Sequence, residues 1–110
     1  MRKDVLLESG MVNNTAHEKK VLLECDHPFI AKMDYLIQDD LRLYFVMPFI
    51  RGTDLQKYYK SLKPKRMPES EVKFLITQIV LGVGHLHENM KMAHRDLKLD
   101  NILLDEDGYI

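Results

Sequence analysis

Cysteine occurs once, at Cys25, and a lone thiol can form no disulfide within its own chain. That excludes the small disulfide-stapled secreted scaffolds and suits a reducing compartment, with the cytoplasm as the default location and the nucleus open. Neither sign of charge is in excess: 16 lysines and arginines face 17 acidic residues, a formal net charge of −1. A chain so balanced has no global electrostatic reason to seek nucleic acid or an anionic membrane. Long apolar runs are missing as well. The stretch from Leu41 to Ile50 is interrupted by Arg42 and Pro48, far short of the roughly 20 residues a membrane helix needs. Met1-Arg-Lys-Asp is followed by only three apolar residues before Glu8, so no secretory leader is visible. What remains is soluble globular material, 45% hydrophobic and 30% charged, in 110 residues, enough for one small domain.

The patterning divides the chain into readable segments. Asn13-Asn14-Thr15 are residues whose side chains accept bonds from orphan N–H groups, and they predict a helix from Ala16 to about Glu24. Val21, Leu22 and Cys25 form its apolar face, and His27-Pro28 stops it. Ala31, Met33, Tyr35 and Ile37 then alternate with Lys32, Asp34, Leu36 and Gln38. After the acidic tip Asp39-Asp40, Leu41, Leu43, Phe45 and Met47 alternate with Arg42, Tyr44 and Val46. Period two on both sides of a short turn predicts a β-hairpin. Pro48 to Gly52 reads as a connector, and Gly52 or Thr53 is positioned to cap a short helix over Asp54–Lys60. Lys60, Lys63, Lys65 and Arg66 make a small basic loop, read first as a solvated turn.

The longest helix begins at Pro68, with Glu69 and Glu71 near its positive end. Val72, Leu75, Ile76, Ile79, Val80, Val83 and Leu86 form an apolar stripe that must pack on something. Gly82 and Gly84 predict close approach of another element, because each costs roughly 1 kcal/mol relative to alanine in a helix. Ile102-Leu103-Leu104, the turn Asp105-Glu106-Asp107-Gly108 and Tyr109-Ile110 predict a second hairpin. His85 and His87 do not make a metal site, since residues two apart on a helix point to different sides. The seven methionines read as core filler and Cys25 as a small buried hydrophobe.

One constellation carries chemistry: His94-Arg95-Asp96-Leu97-Lys98-Leu99-Asp100-Asn101. It places a carboxylate, an ammonium and a carboxamide within six residues. Phosphoryl transfer asks for such a set: a carboxylate for the attacking hydroxyl, a cation for the moving phosphate, and a neutral oxygen for Mg²⁺. The H-R-D-x-K-x-x-N order resembles the catalytic loop of eukaryotic protein kinases, and the likeness runs from about Arg2 to Ile110. The resemblance implies an α+β, protein-kinase-like but partial fold. It comprises helix C and a β-hairpin of the small lobe over residues 1–47, a hinge over 48–52, and over 53–110 helices D and E with the catalytic-loop hairpin of the large lobe.

It also implies roles. Asp96 would be the catalytic base, Lys98 would contact the γ-phosphate of ATP, Asn101 would ligate Mg²⁺, and Glu18 would pair with the nucleotide-positioning lysine. Met47 stands at the gatekeeper position, and the Pro48 carbonyl and Ile50 N–H are the adenine-binding groups of the hinge. Leu103 would lie under the adenine, and Asp54 would reach the ribose or a substrate arginine. Leu22, Met33 and His94 resemble members of a regulatory stack; Leu55, Ile102, Leu103 and Leu104 resemble a catalytic one. Arg95 would clamp a regulatory phosphate, and Asp100 with Asp54 would select basic residues near the target Ser or Thr.

The finer likeness is to the group of cyclic-nucleotide-dependent kinases and protein kinase C, through His27-Pro28-Phe29-Ile30, Gly52-Thr53-Asp54-Leu55 and Arg95 to Asp105. Within these 110 residues there is no Gly-rich phosphate loop, no Ala-x-Lys lysine and no Asp-Phe-Gly. The chain by itself is therefore expected to be inactive, a span taken from inside a larger domain. A non-enzymatic interaction module and an unstable truncated product are the alternatives.

Overall fold

Two folding units divide the chain, Met1–Pro48 and Phe49–Ile110. The structure is a computed structural model that describes residues 1–8, 19 and 21–110, and for residues 6–8 the backbone alone. Most of the helix expected from Ala16, and Glu18 on it, lies outside the described residues; residues 21–24 are helical.

In the first unit a short helix, α1 (Lys3–Glu8), precedes the hairpin of β1 (Tyr35–Gln38) and β2 (Leu43–Val46). The sequence pattern had not pointed to α1. Asp39 closes the hairpin with its side chain: one carboxylate oxygen accepts from the N–H groups of Leu41 at 2.8 Å and Arg42 at 2.6 Å, the other from the Tyr44 hydroxyl at 2.9 Å. These bonds, the Leu41 N–H foremost, hold its carboxyl below the usual carboxylate range. The chain start adds to the edge of β2, with the Leu43 N–H donating to the Met1 carbonyl at 2.8 Å and an antiparallel bridge between Arg2 and Arg42.

The hairpin is shorter than the alternation predicted, and its first strand has the opposite phase. Directly opposed residues share a face, and the register sets Leu36 against Phe45 and Tyr35 against Val46. Leu36, Leu43 and Phe45 are half-buried, whereas Tyr35 and Ile37, expected inside, are exposed. Among the described residues of this unit Cys25 and Met33 are the buried apolar ones, and the Met33 N–H donates to the Leu22 carbonyl at 2.7 Å. Burial pushes the Cys25 thiol up, Asp26 adds to this, and Lys32 opposes it, so Cys25 is the inert hydrophobe expected.

In the second unit β3 (Gly52–Asp54) leads directly into α2 (Leu55–Ser61), and α3 (Glu69–Glu88) is the long helix. Here Gly52 is a strand residue and not a break. β3 pairs antiparallel with β4 (Leu103–Asp105), Thr53 opposite Leu104. The expected second hairpin is thereby corrected: β4 takes its partner from before α2, and Tyr109-Ile110 is not a strand. What remains of the hairpin is its turn, in which the Asp105 N–H donates to the Tyr109 carbonyl at 2.8 Å and Gly108 takes φ +87°.

The cap of α2 is also corrected. Asp54, and neither Gly52 nor Thr53, caps it, its carboxylate accepting from the Lys57 N–H at 2.8 Å and pairing with the Lys57 ammonium at 2.8 Å. Asp54→Ala should speed exchange of the Lys57 amide severalfold, while Asp54→Asn should restore protection, because asparagine caps as well. Hydrogen exchange followed by NMR reads this directly.

Leu55, Leu75, Ile102 and Leu104 form the core of this unit, with Tyr58, Met67, Ile79 and Ile110 packed against them. The buried line of α3 runs Leu75, Gln78, Gly82, Leu86. It is shifted from the predicted stripe, so that Val72, Ile76 and Val80 are exposed. Gln78, unremarked in the sequence, is the one buried polar residue among those described; its amide oxygen accepts from the Ile110 N–H at 3.0 Å. Gly82 is buried, but no atom lies within 4 Å of where a Cβ on Gly84 would sit, so close packing does not explain Gly84.

Candidate catalytic loop

The loop from Met90 to Asn101 hangs between two fixed points of the second unit. At one end α3 closes on Asn89, and the Met92 N–H donates to the Leu86 carbonyl at 3.0 Å. At the other, a 3₁₀ turn over Leu99–Asn101 delivers the chain into β4, where Ile102 just before the strand and Leu104 within it are buried in the core. The Leu55 N–H donates to the Ile102 carbonyl at 2.8 Å, fastening the start of α2 to the end of the loop. An exposed polar loop is thus held at both ends by apolar burial and backbone bonds.

Between these anchors three of the predicted residues meet. One carboxylate oxygen of Asp96, Oδ2, accepts from the Lys98 ammonium at 2.8 Å and from the Asn101 amide Nδ2 at 2.8 Å. The same Nδ2 donates to the Asp96 carbonyl at 2.9 Å. The Lys98 bond, and after it the Asn101 bond, holds the Asp96 carboxyl below the usual carboxylate range; Asp96 in turn raises Lys98. The Asp96 side chain is 64% exposed, so this ion pair contributes orientation more than stability.

Among the described residues nothing bonds to Oδ1 of Asp96 or Oδ1 of Asn101. The first is a carboxylate oxygen able to accept a proton; the second is a neutral hard oxygen of the kind Mg²⁺ takes. Asn101 Oδ1 is thus one oxygen suited to the ion that phosphoryl transfer requires, and among the described residues no group of three or more His, Cys, Asp or Glu side chains gathers to complete a site.

The other predicted residues are placed as follows. Arg95 is exposed in a left-handed backbone conformation, φ 64°. Asp100 is exposed and raises the affinity of both Lys98 and Lys57 for their protons. Asp54 has both carboxylate oxygens committed to Lys57. Leu103 is 44% exposed, while Leu55, Ile102 and Leu104 are core, so the proposed catalytic stack divides into three buried members and one open one. In the first unit Met47 and Pro48 are exposed, and in the second Ile50 is. Among the described residues the Pro48 carbonyl and the Ile50 N–H have no backbone partner. Leu22 is half-buried, Met33 buried and His94 exposed. Lys57 was overlooked in the sequence; the signal was its place three residues after a capping aspartate.

The protein kinase domain profile matches residues 2–110, and the chain belongs to the protein kinase family. Its relatives are of the Ser/Thr type. It is 37% identical over 109 residues to a probable serine/threonine-protein kinase of Dictyostelium discoideum, covering 99% of this chain and 23% of that protein. It is 40% identical over 96 residues to human ribosomal protein S6 kinase alpha-1, and 41% identical to human ribosomal protein S6 kinase alpha-3, in each case 87% of this chain and 13% of the relative. The chain thus spans less than a quarter of the length of these relatives.

Proposed function

We propose that this chain supplies the catalytic loop of a Ser/Thr protein kinase, moving the γ-phosphoryl group of Mg-ATP to a protein hydroxyl. The observation that carries this reading is the Asp96–Lys98–Asn101 cluster with its two uncommitted oxygens. Asp96 Oδ1 orients the target hydroxyl and accepts its proton; the pairing on Oδ2 keeps the group ionised, which a base requires. Lys98 is held within reach of the same site and neutralises charge on the transferred phosphoryl group. Asn101, anchored through its Nδ2, would help hold a magnesium ion through Oδ1, and the ion would supply neutralisation of the nucleotide's phosphate charge.

By resemblance alone, the Pro48 carbonyl would accept from the adenine amine, the Ile50 N–H would donate to the ring, and Leu103 would lie against its face; each is exposed within its own unit. Met47 takes the gatekeeper role and Glu18 the lysine-pairing role by resemblance alone. Asp100, with its carboxylate open, is the better candidate than Asp54 for a basic residue of the substrate, since Asp54 is held by Lys57. Arg95 remains the candidate clamp for a regulatory phosphate.

The test is a chimera. Residues 2–110 replace the matching segment of human ribosomal protein S6 kinase alpha-1, which supplies the phosphate cradle and the remaining metal ligand. The chimera is expected to phosphorylate a basic Ser/Thr peptide, whereas the 110-residue chain alone shows no turnover. A folded chimera without activity would overturn the reading.

A further inference from the structure

The balanced net charge conceals a segregation. From Leu55 to Pro68 the chain holds Lys57, Lys60, Lys63, Lys65 and Arg66 and no carboxylate, which leaves eleven cations against 17 acidic residues in all the rest. Lys57 is neutralised by Asp54. The other four are not: Lys60 donates to the neutral Gln56 side chain at 2.7 Å, and among the described residues Lys63, Lys65 and Arg66 have no ion pair. The nearest acids in sequence are already engaged, Glu69 with Lys73 at 2.6 Å and Glu71 with the Tyr58 hydroxyl at 2.6 Å.

The loop bearing these charges is fixed. The Tyr59 hydroxyl donates to the Lys65 carbonyl at 3.2 Å, the Arg66 N–H to the Pro64 carbonyl at 2.7 Å, and the Leu62 N–H to the Tyr59 carbonyl at 3.3 Å. Met67 packs on the core of the unit and Leu62 is half-buried. Leu55, Tyr58, Leu62 and Met67 thus turn inward and Tyr59 is partly exposed, while Lys60, Lys63, Lys65 and Arg66 are exposed.

We propose that this loop is a docking surface for an acidic segment of a partner protein, one with clustered carboxylates or phosphates. Four cations within seven residues on a constrained backbone match a compact run of anions, and Arg66 offers a fork that a carboxylate or phosphate can take in two bonds. A lipid surface is disfavoured because the one large apolar side chain the segment exposes, Tyr59, is tied through its hydroxyl to the Lys65 carbonyl and is not free to insert between headgroups. Nucleic acid is disfavoured because its extended phosphate backbone would run past a patch of four cations onto the acidic remainder of the chain, which a short acidic segment need not reach. The proposal does not depend on the kinase reading; it describes a surface that would bring a partner to the second unit.

The test is fluorescence anisotropy with the 110-residue chain and two labelled peptides, one of consecutive glutamates and one carrying several phosphoserines. Binding of at least one is expected, weakening as salt is added. Combined Lys63→Ala, Lys65→Ala and Arg66→Ala should weaken it about tenfold. A charge-matched set, Lys19→Ala, Lys32→Ala and Arg42→Ala, should change it by less than about twofold. Helix content by circular dichroism verifies that both sets stay folded, and Lys63→Arg with Lys65→Arg should retain binding. Equal loss in the two sets, no binding of either peptide, or tighter binding to phosphatidylserine vesicles or to a single-stranded oligonucleotide would each overturn the proposal.

Discussion

Asp96→Asn in the active chimera should lower kcat by roughly 10²–10⁴-fold, the range for loss of a positioned general base. Asparagine is nearly isosteric and can still accept from Lys98 and Asn101, so the loop should keep its shape and nucleotide affinity should change little. The loss falls on the proton-accepting oxygen, and single-turnover phosphorylation with radiolabelled ATP reads it. A variant retaining more than about a tenth of the rate would show that Asp96 acts by orientation alone. The pH dependence has a definite sign. Lys98 and Asn101 hold the Asp96 carboxyl below its unfolded value of about 3.9. The base is therefore ionised through neutral and mildly acid solution, and its acid limb lies below about pH 4. Linkage runs the same way: whatever the pairing contributes to stability is present above the unfolded pKa and lost as pH falls through the folded one. Lys98→Ala should move the acid limb upward, because it removes the largest cause of the depression.

Gly52→Ala should destabilise the second unit by about 2–3 kcal/mol, at the upper end for overpacking. A Cβ at Gly52 would lie 1.9 Å from the Leu104 carbonyl oxygen and 2.9 Å from the Asp105 Cα. Both are backbone atoms, so no rotamer change relieves the clash, and β3 must part from β4. Two other glycines make the comparison sharp. Gly84→Ala meets nothing within 4 Å and should stabilise by about 0.5–1 kcal/mol through helix propensity. Gly108→Ala has space as well but a φ of +87°, so it should cost about 1 kcal/mol in backbone strain. Thermal unfolding of the three variants checks the order. An unchanged midpoint for Gly52→Ala would mean that the β3–β4 ladder contributes little.

These effects trace which parts of the molecule were legible beforehand. The meeting of Asp96, Lys98 and Asn101 was, because they lie within six residues and a 3₁₀ turn brings neighbours together without distant help. The long helix was too, because Pro68, Glu69 and the apolar period agree over many turns. The β3–β4 pair was not: Gly52–Asp54 is too short to show alternation, and its partner lies beyond two helices. Proximity in the chain favoured Tyr109-Ile110 as the partner of β4, and a long-range ladder won. The phase of β1 failed for a related reason. Alternation says that two faces exist, and only pairing with β2 says which one Leu36 occupies. Gln78 was invisible because nothing in a helical period distinguishes a buried glutamine from a surface one. The Asp54 cap was misplaced by one residue, within the ordinary blur of helix ends.

Arg95 carries a further implication. Its φ of 64° is a bend that glycine enters freely and a long side chain enters at a cost of about 1–2 kcal/mol. Arg95→Gly should therefore make the second unit harder to melt while stripping the loop of its guanidinium. In the active chimera, selection for heat resistance and selection for phosphotransferase output should pull this one codon in opposite directions, and a library sorted both ways should split at position 95.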